Sequence, residues 1–213
     1  LEGRENRDVA RFIRGNVRVP DQVMGDIQAQ ITAQAVCARR VLEFLDDTGL
    51  EDLTALSAEL QGRADRAMRK AIAALPDGTW RGTVQADGYE AQETRIECAV
   101  TVAGETLTVD YAGTSPQIAR GLNSVMNYTY AYTVYPLKCA LDPLTPRNEG
   151  SYRAVAVTAP EGCILNPTPP APVNARHLTG LFLSGAIYQC LAQIVPGKVV
   201  ADSASPSPRP VYT

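Results

Sequence analysis

Ile27, Ile31, Ala35, Ala38, Leu42 and Leu45 recur at three- and four-residue steps, which predicts one apolar face of a helix about 25 residues long. Pro20-Asp21 marks its entry and Gly49 its C-cap. Ahead of it lies a short lead of mixed charge, residues 1–15, and then Asn16-Val17-Arg18-Val19-Pro20. Leu53, Leu56, Leu60, Ala64, Met68, Ala71, Ile72 and Leu75 keep the same period until Pro76-Asp77-Gly78 stops it. So short a connection predicts an antiparallel helical hairpin over about residues 20–75.

Beyond Gly78 the period falls to 2. Trp80, Gly82, Val84 and Ala86 alternate with polar residues, as do Ile96, Cys98, Val100 and Val102, then Leu107, Val109 and Tyr111 after an Ala103-Gly104 turn. This predicts an antiparallel meander. Gly113-Thr114-Ser115-Pro116-Gln117 reads as a turn, Asn123 to Leu141 as a helix in spite of its Tyr and Thr content, and residues 142–150 as a loop. Ala154 to Ala159 and Cys163 to Leu165 read as strands, and His177 to Val195 as a helix buried on most sides. The expected fold is α+β: a helical hairpin, an antiparallel β-meander, and further helices packed on the sheet over about residues 79–200. One domain spans 1–202, and Pro/Ser-rich residues 203–213 have the composition of a tail or linker.

Composition narrows the function. With 45% apolar and 20% charged residues the chain has enough core to fold, and its net charge of −3 offers no basic field for phosphate backbones or anionic membranes. No apolar run reaches the ~18–20 residues of a membrane span, and the N-terminus lacks a secretory core, which points to the cytoplasm. The five cysteines (Cys37, Cys98, Cys139, Cys163, Cys190) are odd in number and nowhere spaced C-x-x-C. They read as buried thiols rather than a disulfide framework or zinc cage. His177 is the only histidine, so the chain alone cannot build the usual multi-histidine metal site, and no phosphate-binding G-x-x-x-x-G-K-[ST] loop occurs.

Several segments carry a resemblance. Asn16-Val17-Arg18-Val19-Pro20 followed by Gly25-Asp26-Ile27-Gln28-Ala29-Gln30, then Asp110-Tyr111-Ala112-Gly113-Thr114-Ser115-Pro116-Gln117 with Gly121 and Asn123, resemble the hydantoinase B/oxoprolinase family. Pro146-Arg147-Asn148-Glu149-Gly150, Ala159-Pro160-Glu161-Gly162 with Asn166-Pro167, and Pro170-Ala171-Pro172-Val173 with Arg176 follow in that family's order. The resemblance implies the B-type component of an ATP-dependent cyclic amidohydrolase of hydantoin or 5-oxoproline type, in a hetero-oligomer with an A-type subunit or fused half. The A-type partner would bind ATP/Mg and phosphorylate the substrate. It also implies a divalent metal in an N-terminal part that this sequence lacks. A component of an acetone or acetophenone carboxylase is the alternative enzyme, and a non-catalytic interaction module of such a complex is the other.

The candidate substrate or interface residues each admit two readings. Asn16, Arg18, Asp26 and Gln30 form either a polar cluster facing a substrate or partner, or a solvated helix start with an acid placed for the dipole. Gly113, Thr114 and Ser115 can hold an anionic oxygen or simply end a strand. Ser115 lacks the setting of a nucleophile, and no catalytic residue is assigned. Asn123, Asn148 and Asn166 lie in or beside loops, where caps and turns use them. Arg176 is an anion clamp or an ion-pair partner, and His177 a helix-start histidine. Tyr128, Tyr130, Tyr132 and Tyr135, read as too irregular for one helical face, suggest an interface more than a substrate cage.

Overall fold

The computed structural model describes residues 5–89 and 92–200, and the Pro/Ser-rich tail lies outside them. The chain divides into two compact units at Ser57/Ala58. In the first, α1 (Arg7–Asn16) and α2 (Pro20–Thr48) lie against each other, and Arg14 pairs with Asp21 at 2.7 Å. α1 forms within the mixed-charge lead, where the apolar period predicts no helix. Its signal is Asn6, whose side chain accepts from the amides of Asp8 and Val9, with Asp8 in the first turn where the dipole favours it. α2 starts at Pro20 and ends as predicted, with Gly49 left-handed at φ 67°. None of its residues is buried.

The second unit begins just inside α3 (Thr54–Ala73), the other helix expected of the hairpin. A sheet follows: β1 (Gly78–Tyr89), β2 (Gln92–Ala103), β3 (Thr106–Asp110) and β4 (Val155–Thr158), in that spatial order. The first three form the predicted antiparallel meander, with Val84 opposite Ile96 and Val100 opposite Val109. β4 pairs parallel to β3, Leu107 opposite Val155, so its connection must cross over. That connection contains α4 (Met126–Leu141), and α5 (Arg176–Ala192) comes after the sheet. The expected strand at Cys163–Leu165 is absent. Cys163 makes only isolated bridges to Pro116 and Asn166, because Gly162 at φ 82° and the Asn166 N–H to Cys163 carbonyl bond close this segment into a turn.

The core follows the period-2 pattern. Ile96, Cys98, Val100 and Val102 of β2 and Leu107 and Val109 of β3 are buried with Leu183, Ile187 and Leu191 of α5, Leu137 of α4 and Met68 and Ile72 of α3. Each such side chain contributes about 1.5–3 kcal/mol of transfer free energy. α5 sits on β1 and β2, close enough that a methyl at Gly82 would stand 2.7 Å from the Ala186 carbonyl oxygen.

α4 forms although Tyr and Thr are poor helix formers, because tertiary bonds hold it. The buried Thr129 hydroxyl donates to the Leu165 carbonyl at 2.7 Å. Thr133, also buried, is 2.6 Å from the phenol of fully buried Tyr111. At its end, Lys138 and Asp142 form an ion pair at 2.6 Å with side chains 9% and 11% exposed, and the Lys138 ammonium also donates to the Thr145 carbonyl at 2.8 Å. Burial pushes the Asp142 carboxyl up, but hydrogen bonds from Lys138 and Thr145 outweigh it and hold the group below its ordinary value. A carboxyl depressed in the folded state stabilises above its unfolded pKa of ~3.9 and loses that contribution as pH falls through the folded value. The chain should therefore lose stability on acidification below about pH 4. Asp142→Asn should be less stable than wild type at pH 7, with a flatter acid limb in denaturant titrations. An unchanged acid limb would remove the ion pair from this account.

Candidate functional site

The candidate residues of the first unit are exposed. Asn16 ends α1, its side-chain amide donating to the Phe12 carbonyl at 2.7 Å. Arg18 lies between the helices, and Asp26 and Gln30 stand one turn apart on α2. The second unit holds the others in two separate places.

The first is a layer of loops after β3. Gly113 takes φ 91°, turning the chain so that Thr114 and Ser115 lie along β2 beyond the point where β3 stops pairing. There they stand in for a strand. The Thr114 hydroxyl accepts from the Glu97 amide at 3.1 Å, and the Ser115 hydroxyl accepts from the Arg95 amide at 2.8 Å. The Ser115 N–H returns to the Arg95 carbonyl at 2.9 Å. Both hydroxyls thus accept from β2 where β3 has stopped pairing. Beside it the Glu97 carboxylate accepts from Thr83 at 2.7 Å and pairs with Arg95.

Asn123 is the centre of the layer. It is fully buried, its side-chain oxygen accepting from the Ile118 amide and its amide nitrogen donating to the carbonyls of Ile118, Arg120 and Pro172. The Ser124 N–H meets the Ile164 carbonyl at 2.7 Å, and the Ile164 N–H meets the Ser115 carbonyl at 2.9 Å. Asn166 donates to the Ala159 carbonyl at 3.0 Å. The bonds of Ser115, Asn123 and Ser124 therefore tie segment 113–124 to segment 159–172, while Thr114 serves β2 and Asn166 closes its own turn.

Arg176 opens α5 next to this layer. Its guanidinium lies 5.3 Å from the centre of the Tyr128 ring, which stacks on Tyr132 at 4.4 Å, and it donates to the Val173 carbonyl at 3.3 Å. No acid pairs with it among the described residues, and its charge rests on the Tyr128 ring instead. Burial, then the bond to Tyr132, pushes the Tyr128 phenol up to about 12 against the pull of Arg176. Gly180 makes room for this stack, since a methyl there would stand 2.6 Å from a Tyr128 ring carbon. His177 is exposed.

The second place is the 3-10 turn Glu149–Tyr152. Asn148 caps it through the Gly150 amide at 2.9 Å and donates to the Leu60 carbonyl of α3 at 3.1 Å. The turn also borders a groove of about 520 Å³ whose walls include Tyr130, Tyr132, Tyr135 and Tyr152, with Arg147 and Glu149 at its side. The sequence places tyrosines at an interface but gives no role to Arg147 or Glu149 and no hint of the groove. Tyr128, Tyr132 and Tyr135 recur at i, i+4 and i+7 on one helical face, but Tyr128 packs against Arg176 and Gly180 outside the groove while Tyr130 lines it, so the spacing gives only part of the wall. Burial, with Glu149 and Tyr152 adding to it, raises the Tyr130 phenol above its ordinary value.

Chemically, the groove can bind apolar and aromatic groups flanked by charge. Among the described residues no group of three His, Cys, Asp or Glu side chains is placed to hold a metal ion, so the metal that the resemblance implies does not fit here. All five cysteines are free; Cys98, Cys163 and Cys190 are buried as expected, but Cys37 and Cys139 are exposed on helices, and no described helix is long and apolar enough to cross a membrane.

This architecture defines a class through its likeness to solved enzymes. It superimposes on the crystal structure of an ATP-dependent caprolactamase from Pseudomonas jessenii with a TM-score of 0.86 and 30% identity, over 94% of this chain and 35% of that one. The nucleotide-free structure of acetone carboxylase shares the fold at a TM-score of 0.79 and 18% identity, over 91% of this chain and 28% of that one. The chain belongs to the hydantoinase B/oxoprolinase family, whose profile matches residues 1–212. It is 36% identical over 213 residues to the B component of a putative D-/L-hydantoinase of Pseudomonas sp. (strain NS671), covering 94% of this chain and 36% of that protein. With the beta chain of the Pseudomonas jessenii caprolactamase it shares 31% identity over 94% of this chain and 35% of the relative. The chain thus spans about a third of the length of these relatives.

Proposed function

We propose that this chain is part of the B-type component of an ATP-dependent cyclic amidohydrolase, opening a ring amide of the hydantoin, 5-oxoproline or lactam kind. The observation that carries this is a match over 94% of the chain, at 36% and 31% identity, to the B component of a hydantoinase and the beta chain of a caprolactamase. The chemistry explains the need for two components. Amide resonance protects the C–N bond, and phosphorylating the oxygen on an A-type partner creates a leaving group and splits one hard step into two easier ones. ATP/Mg belongs to that partner, and the metal implied by the family to the part of a B-type polypeptide outside these residues. Five free cysteines support a reducing, cytoplasmic setting for the hetero-oligomer.

Within this chain the family motifs around Thr114, Ser115, Asn123 and Asn148 hold the loops that any B-type active site would build upon. Arg176, held on Tyr128 rather than by an acid, remains able to meet an anionic group. A ketone carboxylase is the second reading, supported by the shared fold with acetone carboxylase and 21% identity to an acetophenone carboxylase delta subunit. The test is to assay the full-length protein with its A-type partner on hydantoin, 5-oxoproline, caprolactam, acetone and acetophenone, with and without bicarbonate. ADP release in step with ring opening, indifferent to bicarbonate, is expected. Ketone- and bicarbonate-dependent turnover would replace the hydrolase with the carboxylase.

A further inference from the structure

We propose that the tyrosine groove along α4 is the seat of another segment of the same B-type polypeptide, lying beyond these 213 residues. That segment would dock through apolar side chains and place charges opposite Arg147 and Glu149. The inference rests on reading the chain as part of a B-type component.

Four observations converge on it. Tyr135 is 57% exposed beside half-buried Tyr130, Tyr132 and Tyr152, an aromatic patch of the kind folded chains seldom leave to water. Tyrosine flanked by arginine is also the composition of interface cores. Leu144, on the connection that leads from α4 to Arg147, is 92% exposed although the buried Lys138–Asp142 pair and Thr145 hold that connection in place. An ordered loop that presents a leucine to solvent offers an anchor. Neither Arg147 nor Glu149 has an ion-pair partner among the described residues, so a docking segment would meet one free charge of each sign.

The fourth observation names the occupant. The relatives carry this unit as about a third of one continuous chain, and the fold is kept at a TM-score of 0.86 within that longer chain. Roughly two-thirds of the same polypeptide is therefore tethered nearby in them, at an effective concentration that a separate partner does not reach. A small-molecule ligand fits less well. Such sites orient their ligand with convergent buried polar groups, whereas neither charged residue here is buried and the walls are aromatic.

Cys139 makes the proposal measurable, being exposed and one helical turn along α4 from Tyr135 of the groove wall. The native full-length protein, alone and with its A-type partner, is pulsed with N-ethylmaleimide, and Cys139 is read by peptide mass mapping against glutathione as the free-thiol reference. Labelling at least about tenfold slower than the reference in the B-type protein alone is expected, because only a local opening would expose the thiol. Labelling at the free-thiol rate would overturn the proposal and leave an open groove suited to a small ligand. Protection only with the A-type partner present would overturn it in favour of that partner. In the same full-length protein Ala131→Arg places a long cation on the groove wall, and a loss of roughly 5 °C or more in Tm is expected, where a solvent-facing helix position would give next to none. A Tm matching wild type would overturn the proposal. Failure of ATP-dependent ring opening would sink the functional reading and leave the labelling result standing.

Discussion

Gly150→Ala is expected to destabilise the chain by about 3 kcal/mol or more, a large share of the 5–15 kcal/mol that separates most folded domains from their unfolded state. A Cβ at this position would overlap the Gln61 carbonyl oxygen outright and stand 2.6 Å from its carbon and 2.9 Å from its Cα. All three are backbone atoms of α3, so no rotamer change can relieve the overlap and the turn must retreat from the helix. With it would go the Asn148 bond to the Leu60 carbonyl and the Arg153 bond to the Gln61 side chain. Gly197→Ala is the control, since a methyl there meets nothing within 4 Å and no left-handed φ is involved. It should be neutral or slightly stabilising through the unfolded state. Urea titrations of both variants at one protein concentration check this. A Gly150→Ala midpoint equal to that of Gly197→Ala would mean that the turn does not press on α3.

So close an approach bears on what family motifs do. Pro146-Arg147-Asn148-Glu149-Gly150 is legible as a special loop because its residue types are those of turns, and Asn148 stands out as a candidate for substrate or interface. Across the fold Asn148 meets the Leu60 carbonyl, 88 residues earlier, and Gly150 packs on the Gln61 backbone. Spacing within a motif cannot reveal a partner so remote. The same applies to Thr114 and Ser115, whose hydroxyls serve amides of β2 across 17 and 20 residues. In this structure those two hydroxyls accept from a strand edge, a role that their spacing in the sequence does not reveal.

The hydrophobic periods, by contrast, carry the sheet and the long helices, because burial enforces them residue by residue. Alternation from Ile96 to Val102 and from Leu107 to Tyr111 is what the core uses. The pattern fails where a different interaction decides the outcome. α1 rests on the Asn6 cap rather than on an apolar stripe, and Cys163–Leu165, apolar enough for a strand, is folded into a turn by Gly162 and its bonds to Asn166. β4 joins the sheet parallel to β3, a pairing that depends on the crossover and leaves no mark in the alternation of the strand itself.

Asn123→Asp tests the loop layer most directly. The side-chain amide nitrogen donates at 2.7, 2.9 and 2.8 Å to the carbonyls of Ile118, Arg120 and Pro172, and the residue is fully buried. An aspartate would turn this donor into a negatively charged oxygen facing three carbonyls, so a loss of about 3 kcal/mol or more is expected at pH 7. The sign of its pH dependence is fixed by the same geometry. A carboxyl there can bond the carbonyls only when protonated, which lifts its folded pKa above the unfolded ~3.9. Relative to wild type, the deficit is then fullest above the folded pKa and shrinks as pH falls through it. Asn123→Leu, with no titrating group, should show a deficit that does not change with pH. Denaturant titrations of the three proteins at pH 7 and pH 4.5 separate these cases, and parallel behaviour of the two variants would break the argument. The same variants decide what Asn123 does for function. If it is a structural centre, activity of the full-length variants should fall in proportion to the fraction folded and recover on cooling. A substrate contact would instead leave a fully folded variant with a raised KM.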